Sequence, residues 1–375
     1  MGALLIVYCG LCTYLFRDVQ LNGDGAAYSL QAIAGSPWDR SVHAGALAPL
    51  WFFVRILGLP PGLVPAFWTG VALLASAGLG RRVLLLHPAD PRLPSSGAFA
   101  SSFGPLIGPL TIMAASLTWQ GALFVEIYST TAALLLLTLW SLMAGRLWLA
   151  APLFAWAAAA HPGVWALVPG LVLLSPKHST RSWVKTLGAA ALLHAVLLWC
   201  LFPDWWSGGR GLAQLPPSDL ALWPALQSLW RILSDDLGIA ALPLLVALPL
   251  LDRRRLVGLT LIVLASGAVL CRYSDNPGGL PALWLFAAFS PLALRALAEV
   301  ELTRLRRGLG LLGLTVLLFG IGDATSVHDA AARRAQADHE ARVEAGCPGP
   351  GGLDWGQQQL WKLSCIDHPP SDTNE

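Results

Sequence analysis

The sequence predicts an all-α fold: a polytopic membrane bundle of about 11 transmembrane helices. Three observations predict it. Of 375 residues, 55% are hydrophobic and only 12% are charged, about half the charge of an ordinary soluble domain. The apolar residues fall in long runs that core burial does not explain, and mean hydropathy is +0.60. Seventeen Trp against five Tyr suit a chain with many membrane interfaces, where indole rings settle. The net charge of +2 gives no reason to expect a nucleic-acid or acidic-polymer partner.

The first element is residues 2–16. No basic stretch precedes it, and no small-x-small cleavage pattern stands before Arg17, so it reads as a retained first helix. Ten further runs are apolar enough to span: 63–80, 98–118, 121–144, 147–160, 163–175, 183–203, 237–251, 256–271, 280–297 and 308–322. A twelfth, 44–58, is short, contains Pro49 and ends near Arg55.

Orientation follows from the basic residues. These are Arg81, Arg82 and Arg92; Arg146; Lys177, Arg181 and Lys185; Arg253 to Arg255; and Arg295, Arg304, Arg306 and Arg307. All of them fit one side, the cytoplasm, if 44–58 does not cross. That run is therefore read as juxtamembrane or re-entrant, inside a first outer loop of 17–62. The transmembrane domain is then 1–322, and 323–375 is a short outer tail. Within the tail, 327–345 suits a solvated helix rich in Ala and alternating charge.

The first outer loop is a polar island. Asp24 sits in Asn22-Gly23-Asp24-Gly25, where flanking Gly removes bulk and lets a carboxylate approach a substrate as a general base. The plainer reading is an Asx-turn. Glu126 lies near the outer end of an apolar helix, facing a polar cavity or snorkelling to headgroups, with Tyr128 and Thr130 beside it. His161 precedes Pro162 and Gly163 at a break between two short apolar runs. It and His43 are candidate donors to a phosphate oxygen or a hydroxyl, or simple capping residues. Arg210 and Arg272 stand on the outer side against the charge trend. They suit phosphate binding or interfacial anchoring.

Cys9, Cys12, Cys200 and Cys271 lie in or beside apolar runs and read as small buried hydrophobes. Cys347 and Cys365 lie in the polar tail, where an extracytoplasmic setting would favour a disulfide worth on the order of 3 kcal/mol. No phosphate-binding loop, HExxH or GxSxG motif is present, and no metal-ligand set is evident.

Three local matches carry a family resemblance: GDGAAYSLQA (23–32) with His43 downstream, WQGALFVEIYSTTAALLL (119–136), and AAAAHPGVWALVPGLVLL (157–174). Together they resemble the GT-C superfamily of membrane glycosyltransferases, in particular its bacterial protein O-mannosyltransferase-like branch. The resemblance implies a polyprenyl-phosphate sugar donor, a hydroxyl acceptor on protein, lipid or glycan, and a site on the outer side of a bacterial cell membrane. It implies that Asp24 is the base and that Glu126 and His161 line its cavity. A divalent cation bridging Asp24 and the donor phosphate is an open expectation. Two rival readings are a transporter or flippase for lipid-linked sugars and a non-catalytic membrane assembly factor.

Overall fold

The computed structural model describes residues 28–30, 32–33, 43–86, 97–115, 117–119, 127–201, 240–273 and 279–293, with isolated positions elsewhere, chiefly between 316 and 365. Among the described residues every regular element is helical. In chain order they are α1 (Ala44–Trp51), continued by a π-turn over Phe52–Ile56, α2 (Leu63–Leu86), α3 (Gly97–Ala114), α4 (Ile127–Met143) and α5 (Leu147–Ala160). A 3-10 turn (Pro162–Leu167) then leads into α6 (Val168–Leu174), followed by α7 (Thr180–Leu201), α8 (Ala241–Ala247), α9 (Arg253–Tyr273) and α10 (Leu280–Ala287).

The ends of these helices follow local chemistry. α4 closes with Gly145 at φ +73, and the bonds Arg146 N to Ser141 O (2.8 Å) and Gly145 N to Leu142 O (3.0 Å) form a Schellman cap. α5 stops at Ala160 because Pro162 brings no N–H, and His161 before it is extended, with φ −150 and ψ 106. α9 begins one residue after Asp252, whose carboxylate accepts from Arg255 N at 2.8 Å. α2 runs on past Arg81 and Arg82 to Leu86, beyond the sequence expectation of 80. Both arginines are exposed, so their heads reach out while the backbone continues.

α4 is the central helix, with every residue buried except Leu137 and Trp140. Apolar all round, it has no face for solvent. Two of its hydroxyls turn back on the backbone: Thr131 Oγ1 donates to Ile127 O at 2.9 Å and Thr138 Oγ1 to Leu134 O at 2.8 Å. α2 runs parallel to it, with Val64 and Pro65 near Ile127 and Thr130, and Gly78 against Trp140. α3 returns antiparallel, with Gly104 at Leu84 and Gly108 at Ser76. α6 and α9 cross where Gly170 and Gly258 face each other. A Cβ on Gly170 would stand 2.7 Å from Gly258 O, and one on Gly258 would stand 3.0 Å from Gly170 O. Close backbone approach of this kind is the usual device for packing apolar helices where lipid removes the hydrophobic drive.

Two of the described helices, α2 and α7, are long and apolar enough to cross a membrane. α7 also turns apolar side chains outward: Leu192 is 67% exposed, Val184 66% and Trp199 65%. In water, an apolar surface of that extent carries a cost; in lipid it does not.

The helix directions give the bundle two distinct ends. His43, the starts of α2, α4 and α10 and the end of α5 lie at one, the histidine end. The end of α2, the Gly145 turn, the start of α7 and the start of α9 lie at the other, the arginine end. Arg81, Arg82, Arg146, Lys177, Arg181 and Arg253 to Arg255 belong to that second end.

Candidate functional site

Three helix termini meet at the histidine end. His43 caps the start of α1, His161 follows the end of α5, and Tyr128 is in the first turn of α4. Gly45 makes this meeting possible. A Cβ there would lie 2.5 Å from Ala160 N and 2.6 Å from the Ala159 carbonyl carbon, so only glycine admits the two helices this close. Two side chains then tie them together. Trp156 Nε1 donates to Gly45 O at 2.7 Å, and His43 Nδ1 donates to Ala160 O at 2.9 Å. The second bond satisfies one of the carbonyls left over at the end of α5.

His161 is held from the opposite side. Its Nδ1 accepts from Gly163 N at 3.1 Å, which caps the 3-10 turn. The capping role weighed for it from sequence is thus present. The His161 ring also lies 5.6 Å from that of His43, stacked at 27°, and 5.7 Å from that of Tyr128.

These partners assign the protons. A carbonyl only accepts, so the proton of neutral His43 is on Nδ1 and its Nε2 is an acceptor. A backbone N–H only donates, so neutral His161 carries its proton on Nε2. Adjacent imidazoles therefore offer one acceptor and one donor. Both lie at helix ends rather than inside spanning segments. Burial, with the nearby His161 adding to it, lowers the pKa of His43 from 6.5 to about 4, while the bond to Ala160 opposes the shift. Burial also lowers that of His161. The pair is neutral at pH 7 and suited to hydrogen bonding, not to holding a charge.

A small recess, partly open to the outside, adjoins this cluster. Tyr128, Thr131, His161, Ser266 and Pro281 are in its wall. A second small recess lies between Tyr28, Leu47, Val64, Ile127 and Thr130. Tyr28 follows Asp24 by four positions and Ile127 follows Glu126 directly. The Tyr128 phenol, the Thr131 and Ser266 hydroxyls and the His161 imidazole line the first recess and offer it neutral hydrogen-bonding groups.

Of the residues singled out from sequence, His43, Tyr128 and His161 are brought together. Asp24, Glu126, Arg210 and Cys347 lie outside the described residues. Arg272 is in the last turn of α9, and its side chain is outside them too. Cys365 is disulfide-bonded, while Cys200 is free. Among the described residues, no group of three or more His, Cys, Asp or Glu gathers as metal ligands. Thr131, Ser266, Gly45 and Trp156 were not singled out from sequence. Ser266 had a signal, as a hydroxyl within an apolar helix. Gly45 had none, since its role depends on a partner more than a hundred residues away.

No family model, curated protein or solved structure matches the chain.

Proposed function

We propose that the protein is a multi-pass membrane glycosyltransferase of GT-C type, with about 11 transmembrane helices and its site on the outer side of a bacterial cell membrane. It moves a sugar from a polyprenyl-phosphate donor to a hydroxyl acceptor. The observation that supports this reading is the convergence of His43, Tyr128 and His161 at the bundle end opposite Arg81, Arg82, Arg146 and Arg253 to Arg255. The three come from separate sequence segments, each carrying one of the local resemblances. By the positive-inside rule, the arginine end is cytoplasmic and the histidine end outer.

In the proposed reaction Asp24 takes the proton of the acceptor hydroxyl. The acceptor oxygen bonds to the anomeric carbon as that carbon's bond to the phosphate oxygen breaks. Polyprenyl phosphate leaves, with its negative charge met by Arg210 or Arg272. The neutral histidines and Tyr128 orient sugar or phosphate oxygens, and Glu126 lines the same cavity.

The test is incubation of purified protein with labelled polyprenyl-phosphate mannose or glucose, following label into protein and lipid fractions. Transfer that is lost in Asp24→Asn, with the variant still in the membrane, supports the reading. Wild-type transfer in that variant removes Asp24 from the mechanism. Donor binding without turnover favours a flippase, and neither binding nor turnover favours an assembly factor.

A further inference from the structure

Ser266 is in α9, four positions after Ile262, and Ile262 packs on Gly170 of α6. Residues four apart share a helix face. The face of α9 that meets α6 therefore carries Ser266 one turn nearer the histidine end, against the 3-10 turn. There it is in the wall of the first recess, with Gly163 and Val164 of that turn. Ser266 is only 6% exposed, and its Oγ donates to no acceptor among the described residues. Thr260 of the same helix shows the ordinary alternative, with Oγ1 donating to Leu256 O at 2.9 Å. A buried hydroxyl left unpaired is costly, so Ser266 calls for a partner in the recess.

Two other polar groups of the wall are defined by the bonds they already make. His161 Nδ1 accepts from Gly163 N, so Nε2–H is its remaining polar group. Thr131 Oγ1 gives its proton to Ile127 O, so toward the recess it can only accept. The recess thus presents one fixed donor, one fixed acceptor and one hydroxyl that can be either. No Asp, Glu, Lys or Arg is among its described lining residues, so an ion there would have no counter-charge from them. A methyl group would strand the His161 N–H. The recess has room for about one or two waters. A water offers two donors and two acceptors, which suits both the size and the three partners.

We propose that this recess is the binding site of one ordered water, which accepts from His161 Nε2–H, donates to Thr131 Oγ1 and bonds to Ser266 Oγ. Ser266 is then a positioning residue. Through the water it holds the imidazole from the side opposite Gly163 and keeps the proton on Nε2. The water joins α9 to α4 and to the turn after α5, and the open side of the recess is its path of entry. The inference depends on neither membrane insertion nor sugar transfer.

The experiment uses the full chain in detergent micelles, labelled with [15N]histidine, at neutral pH. Magnetisation transfer from water to the His161 Nε2–H is measured by NMR, the signal being assigned by its loss in His161→Gln. Dipolar transfer is separated from chemical exchange by its sign in the rotating frame. The wild type should show dipolar transfer from a held water. Ser266→Ala should weaken it about five-fold, the effect of losing one neutral hydrogen bond. Ala265→Leu, at a neighbouring position of the wall, should fill the recess and abolish the transfer with Ser266 intact. Thr260→Val removes a hydroxyl of α9 that bonds its own backbone, and should leave it unchanged. The proposal is overturned by no dipolar transfer in the wild type, by undiminished transfer in Ser266→Ala or Ala265→Leu, or by an equal loss in Thr260→Val. An Nε2–H that exchanges too fast to be seen also overturns it, because a held proton would be slow. Ser266→Ala deletes a single oxygen, so the test stands even where Ala265→Leu does not fold.

Discussion

His43 and His161 stack 5.6 Å apart, with the first donating to the last carbonyl of α5 and the second capping the turn that follows it. Burial at this junction holds both imidazoles neutral, and this has a consequence for pH. Unfolded, His43 titrates near its ordinary 6.5; folded, at about 4. Between those values the unfolded chain binds more protons, so stability rises with pH there. It should be fully present above about 6.5, fall as the pH drops toward 4, and level off below. The loss from His43 is on the order of 3 kcal/mol. His161, shifted the same way, adds to it. Unfolding in detergent followed from pH 7 to 4 measures this. A midpoint that holds constant over the range would show that neither imidazole is buried neutral.

The bond from His43 to Ala160 predicts a graded mutational response. His43→Phe keeps a ring against His161 but leaves the Ala160 carbonyl without its donor, at a cost of about 1–3 kcal/mol. His43→Asn places an amide N–H near the position of Nδ1 and should recover most of that loss. The same Asn variant should shrink the acid-induced destabilisation, because it removes one titrating group. Equal melting temperatures for the Phe variant and the wild type would show that this bond contributes nothing.

What was legible in the sequence was mostly punctuation. α5 spans 147–160, the run expected, because Gly145, Arg146 and Pro162 are hard stops on either side. α9 starts at Arg253 rather than 256 because Asp252 supplies a cap inside a stretch that reads as a charge cluster. The placement of His43, Tyr128 and His161 at one end was also legible, because charge bias and helix count fix direction without any tertiary information. The contacts themselves were not. Nothing near Gly45 in sequence points to Ala159 or Ala160. Nor does anything near Trp156 announce Gly45 as its acceptor, since packing partners far apart in the chain leave no local periodicity.

Gly45 offers a sharp test of that close approach. Any Cβ there falls under 3 Å from Ala160 N, the Ala159 carbonyl carbon and Ala159 Cβ, and two of these three are backbone atoms that cannot swing aside. Gly45→Ala should destabilise by about 1–3 kcal/mol, and Gly45→Val by more. Either change should also lengthen the His43 to Ala160 bond, so the pH response should weaken along with stability. Gly188 is the internal control. It is in α7 with nothing within 4 Å of an added Cβ, and Gly188→Ala should be neutral or stabilising by about 0.5–1 kcal/mol. If the two alanine variants melt together, α1 and α5 do not approach as closely as described.

Arg254 separates structural from topological charge at the arginine end. It lies in a run of three arginines that sequence alone treats as equivalent, yet its guanidinium closes the end of α6 with two short bonds, to Ser175 O and Val172 O. Both carbonyls have lost their helical donors at the α6 terminus; Val172 O also accepts from Ser175 Oγ at 3.0 Å, so Ser175 O is the one that leans more on Arg254. Arg254→Met should cost about 1.5–3 kcal/mol, the range for hydrogen bonds to a charged group. Arg254→Lys should recover only part, because a single ammonium cannot span both acceptors as the planar fork does. Asp252→Ala loses a helix cap and an exposed ion pair, and should cost about 1 kcal/mol. Melting temperatures in that order, with Arg254→Met lowest, would assign the middle arginine to the fold rather than to orientation. The reverse order would mean that the α6 carbonyls find other donors when Arg254 is gone.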